Sequence, residues 1–85
     1  GAVTIINTSS DPMKGELAIR RLELNGIEVG VVENTTPQIN STTVFIVSSN
    51  DEDLTDAIRE MNFRYSVIYK NNTERNTLIV GDDWR

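Results

Sequence analysis

The polar side chains best placed for chemistry lie in one short segment, Asn7-Thr8-Ser9-Ser10-Asp11, directly ahead of a helix start. Amide, hydroxyl and carboxylate groups beside the free N–H groups of a helix terminus can hold a small polar or anionic ligand. The same residue types also serve as ordinary helix caps, and both readings stand at this level. Asn7, Ser9, Ser10 and Asp11 are therefore the candidate ligand-binding residues. Gln38, the most useful polar side chain of the loop Asn34 to Ser41, joins them from a segment long enough to act as a lid.

Proton transfer and nucleophilic attack are poorly served. The chain contains no Cys and no His, so thiolate chemistry and the commonest general base and metal ligand are missing. An enzyme built on this chain would have to work with Asp, Glu, Tyr or Arg. The acidic run Asp51-Glu52-Asp53 suits the positive end of a helix dipole. Asp82 and Asp83 follow Gly81 on a tail read as a frayed end, and exposed acids on a tail are weak grounds for a cation site. Arg20 can pair with Glu16 or Glu23 along a helix. The five Gly are scattered, so no phosphate-cradling loop is present. No catalytic residue, metal ligand or cofactor is assigned.

At 85 residues there is room for one domain and one modest core. A net charge of -5 argues against a partner with a phosphate backbone, and no basic cluster is formed. No apolar run is long enough to span a membrane. Sequons occur at Asn7, Asn34, Asn40 and Asn71. The absence of Cys points instead to a reducing, cytoplasmic setting.

The elements that position these residues follow from periodicity and punctuation. Val3 to Ile6 is a β-branched strand. Ser10 or Asp11 caps a helix that opens on Pro12 and stops at Asn25-Gly26. Ile27 to Glu33 and Thr42 to Ser48 form the next strands. Ser49 or Asn50 caps a second helix carrying Leu54, Ala57, Ile58 and Met61 on one stripe. Phe63 to Tyr69 and Thr77 to Val80 close the chain as a hairpin. This β-α-β-β-α-β order with a terminal strand predicts an α+β, ferredoxin-like two-layer sandwich: an antiparallel sheet, strand order 4-1-3-2, with both helices on one face.

The first helix is apolar on two sides. Gly15, Ala18, Ile19 and Leu22 form a core stripe, whereas Met13, Leu17 and Leu24 fall opposite and form a candidate contact surface. The third strand is apolar on both faces as well: Val44 and Ile46 point one way, Phe45 and Val47 the other. Phe45 and Val47, with a Tyr of the fourth strand, are expected on the sheet face that a second subunit covers.

The run Ser10-Asp11-Pro12, Gly15-Glu16-Leu17, Leu22-Glu23, Asn25-Gly26-Ile27 and Val29 resembles a small prokaryotic family of signal-transducing proteins. Its pattern reads "DP..AEL....LE..GI.v.v", followed by a polar loop, an apolar strand and an acidic-started helix. The resemblance covers about Thr4 to Met61 and implies a fold and a loose regulatory role, with no catalytic residues to carry over. Gly15 stands where that family prefers Ala. Gly15-Glu16-Leu17 and Asn25-Gly26-Ile27 also resemble the "PGEL…NGI" pattern of ACT regulatory domains, which bind amino acids at helix interfaces. Here the interval is shorter by about half a turn, and Lys14 replaces the Pro.

The leading expectation is a non-enzymatic regulatory or binding module that forms a homo-oligomer, such as a homodimer, and binds a small molecule or a protein partner, with no nucleic-acid or membrane role. A small dimeric α/β-barrel-type enzyme using Tyr65 or Tyr69 with a buried carboxylate is one alternative. A pure assembly or adaptor protein is the other.

Overall fold

A computed structural model describes residues 2–34, 42–71 and 75–85. Seven elements follow one another: β1 (Val3–Asn7), α1 (Met13–Leu24), β2 (Val29–Asn34), β3 (Val44–Ser48), α2 (Glu52–Glu60), β4 (Ser66–Lys70) and β5 (Asn76–Val80). They build a small α+β fold around a single five-stranded mixed sheet.

The punctuation acts locally as its chemistry dictates. The Asp11 carboxylate accepts from the Met13 N–H at 2.9 Å at the start of α1. Gly26 ends that helix region at φ +76°, a conformation that costs a β-carbon. Asp51, rather than Ser49 or Asn50, caps α2 by accepting from the Leu54 N–H at 3.1 Å. Asn62 stops that helix in the left-handed region, at φ 57°.

The sheet is not the antiparallel 4-1-3-2 sheet of a ferredoxin-like sandwich. Its order is β2-β1-β5-β3-β4. β1 pairs parallel with β2 and with β5, and β3 pairs parallel with β4. β5 meets β3 antiparallel, so the expected hairpin with β4 is replaced by insertion at the centre of the sheet. The physical reason lies in the crossovers. Each β-α-β unit returns its second strand beside its first instead of leaving a gap for the other unit to fill. The two units run in opposite directions and step outward to opposite edges. Crossovers of one hand, right-handed by general preference, then put both helices on the same face.

Register shows which side chains meet those helices. Ile5 pairs with Leu78, Leu78 with Phe45 and Phe45 with Val67, so these four share a face. Val3, Val47 and Val80 lie on it too. Ala18 and Leu22 of α1, and Leu54, Ile58 and Met61 of the α2 region, complete one core with these residues. Phe45 and Val47 have no solvent exposure and are packed inside this core, so they cannot serve a second subunit. The residues of β3 that face away from the helices are Val44, Ile46 and Ser48.

The C-terminal tail is not frayed. Trp84 is 2% exposed. Its ring stacks on Tyr65 at 5.3 Å between centroids and lies 6.4 Å from Phe63, which in turn meets Phe45 edge-on at 5.5 Å. Asp83 accepts from both the N–H and the hydroxyl of Thr43, at 2.8 and 2.6 Å. Gly81 fits because a β-carbon there would lie 2.6 to 2.8 Å from the Thr42 backbone.

Candidate functional site

The end of β1 runs into the polar loop that precedes α1. The structure brings Asn7, Ser9, Ser10 and Asp11 together there, and it spends most of their polar atoms within the loop. Asn7 is buried, and its amide N–H groups reach the Asp11 carbonyl at 3.0 Å and the Asn34 side-chain oxygen at 3.2 Å. Its side-chain oxygen accepts from the Ser9 N–H at 3.0 Å and from the Ser9 hydroxyl at 2.5 Å. Asn7 thus ties β1, β2 and the helix start together, and as a buried side chain it is unsuited to carry a glycan.

Ser10 is bound by the opposite end of the chain. Asp82 accepts from its N–H at 2.7 Å and from its hydroxyl at 2.9 Å. The Lys14 ammonium donates to the Asp82 carbonyl oxygen. The Ser10 N–H, then its hydroxyl, hold the Asp82 carboxyl below its ordinary value, and Lys14 adds to this. At the other end of the sheet the Leu54 N–H lowers Asp51 in the same way, against the opposing effect of partial burial, and the Asn76 amide at 3.0 Å assists.

Gln38 lies outside the described residues, as does the rest of 35–41, so the lid has no structural description. Three surface recesses formed by described residues lie away from the loop. One of about 540 Å³ opens at the start of α2 beside Ser48, Asp51 and Asn76. One of about 190 Å³ runs between Ile27-Glu28 and Leu54-Ala57. A third, of about 300 Å³, lies beside Arg20, Glu23 and Leu24. Among the described residues no carboxylate is buried, and no three His, Cys, Asp or Glu side chains converge on a metal-sized site. Tyr65 donates to the Asp83 carbonyl at 3.3 Å and accepts from the Arg85 N–H at 2.8 Å, which makes it part of the tail anchor. No described helix is long and apolar enough to cross a membrane.

Apolar surface is more prominent than polar chemistry. On α1, Met13, Leu17 and Leu24 are exposed, Leu24 by 85%. On the sheet, the face away from the helices carries Ile6, Ile79 and Val44 in one row across three strands, with Thr77, Ile46 and Ile68 in the next. Ile6, Val44, Ile46 and Ile79 are partly exposed, and Ile68 is 44% exposed at the edge. The double apolar alternation in β3 announces this face, but periodicity alone does not say which of its two sets the helices cover. No known protein family, curated protein or solved structure matches the chain.

Proposed function

We propose that this chain is a non-enzymatic module that works by binding: it self-associates, and the assembled form engages a small ligand or a protein partner. The observation that carries this reading is a division of labour. The polar loop is used up in holding the fold together, while a complete core leaves an apolar sheet face and an apolar helix stripe outside. Surfaces of that kind are formed at a cost in solubility and mark contact sites. Tyr69 is exposed rather than enclosed with a carboxylate, which gives the enzyme reading no support from side-chain placement. Native mass spectrometry of freshly purified protein tests the proposal, since it reports subunit number and any retained molecule together. Dimers or higher species are expected. A bare monomer at every accessible concentration would overturn the reading.

A further inference from the structure

We infer that the open sheet face docks on the same face of a second copy of this chain, the two sheets aligned about a twofold axis that runs along the strands. This rests on the proposal that the chain self-associates, and it commits that proposal to one surface and one orientation.

The apolar residues of the face are neighbours in the hydrogen-bonded register, with Thr77 between them at the centre and Ser48 and Lys70 at one end. Ile6 pairs with Ile79 and Ile79 with Val44; Thr77 pairs with Ile46 and Ile46 with Ile68. The competing stripe on α1 is broken: Leu24 stands seven residues beyond Leu17, about 10 Å along the helix. Five strands at about 4.8 Å spacing and roughly 17 Å length give an area near 350 Å² in projection on each partner. At about 700 Å² over both partners this falls below the roughly 1,000 Å² of a stable specific interface, so a weak, transient dimer is expected.

Charge selects the orientation. Glu33 pairs with Ile6 and so lies on the open face, at the β2 edge. Arg64 lies at the opposite edge, two residues before β4 begins. Its neighbours Phe63 and Tyr65 both pack on the core, whereas Arg64 itself is exposed, which turns it away from the helix side. Glu33 and Arg64 are both exposed, and neither has an ion-pair partner among the described residues. Both lie toward the same end of the sheet, because Glu33, Ile6, Ile79, Val44 and Ser66 form one row from edge to edge. A twofold axis along the strands carries the β2 edge of one copy over the β4 edge of the other. Each Glu33 then meets an Arg64 of the second copy, twice per dimer, with the sheets near the usual −30° alignment and about 10 Å apart. An axis across the strands would instead stack β2 on β2 and leave both charges unpartnered.

Sedimentation velocity on the full chain over a wide concentration range tests this. The wild type is expected to show a reversible monomer–dimer equilibrium. Glu33→Arg and Arg64→Glu, both at exposed positions, should each raise Kd roughly tenfold by turning two attractive rim pairs into repulsive ones. Mixing the two variants should restore dimerisation as a heterodimer, because each copy then meets the opposite charge. Ile68→Asp should weaken the dimer further. Recovery on mixing supports the orientation. A dimer sensitive to Ile68→Asp that shows no recovery on mixing overturns the orientation. A dimer indifferent to all three substitutions overturns this surface while leaving self-association standing. A strictly monomeric wild type overturns both.

Discussion

Replacing Trp84 by Ala should remove a large part of the stability of this domain, although the residue is next to the chain end. The side chain is essentially fully buried and packs on Tyr65 and Phe63. A buried Trp removes about 150 to 250 Å² from water, which at ~25 cal/mol per Å² is about 4 to 6 kcal/mol as an upper bound. Truncations of buried aromatics cost about 3 to 5 kcal/mol. Its ring neighbours Phe63 and Tyr65 are only partly buried and can close in on the gap, so about 3 kcal/mol is the expected loss. For a chain of this length, total stability is on the order of 4 to 13 kcal/mol. A loss of that size lowers Tm by roughly 12 to 24 °C. Urea titration and thermal melts followed by far-ultraviolet circular dichroism measure it without the Trp signal. A Tm shift below about 3 °C would refute the reasoning and return the tail to the frayed end that its sequence suggests.

Gly81→Ala should destabilise by about 1 to 3 kcal/mol, because the new methyl group meets the Thr42 backbone, which has no soft side chain to yield; Trp84 fluorescence during denaturation reads this directly. Gly15→Ala should stabilise by about 0.5 to 1 kcal/mol, since its β-carbon would sit 3.5 Å from Asn7 in ordinary contact and a helical Gly is replaced; a fall in stability would show that Asn7 cannot yield. Acid should loosen the Ser10–Asp82 clamp in a defined window. The Asp82 pKa is lower folded than unfolded, so its contribution is fully present above the unfolded value of about 3.9 and is lost as pH falls through the lower folded value. The Ser10 amide resonance should titrate with that depressed midpoint, and Asp82→Asn should abolish the titration.

The two helices, the Gly26 stop and the buried stripe of α1 were legible because each rests on neighbouring residues. Gly15, Ala18 and Leu22 are buried, and Met13, Leu17 and Leu24 are outside, as helical spacing requires. Strand order was not legible, because nothing local distinguishes two β-α-β units that interleave from two that stand side by side with β5 between them. The choice between Phe45–Val47 and Val44–Ile46 as the open set of β3 failed for the same reason: both alternate correctly, and only the register with Leu78 and Val67 decides. Gly81-Asp82-Asp83-Trp84 looked like a tail because its partners, Ser10, Thr42, Thr43 and Tyr65, are distant in sequence. Asn7, Ser9, Ser10 and Asp11 lie together because they are sequence neighbours, and the hydrogen bonds that engage them make the loop a structural tie.

The open sheet face is the feature on which the account turns, and sedimentation equilibrium of the wild type beside Ile68→Asp tests it most directly. The account predicts a concentration-dependent dimer for the wild type and a predominantly monomeric variant with unchanged circular dichroism. A wild type that remains monomeric at high concentration, or a variant that dimerises as tightly as the wild type, would contradict it.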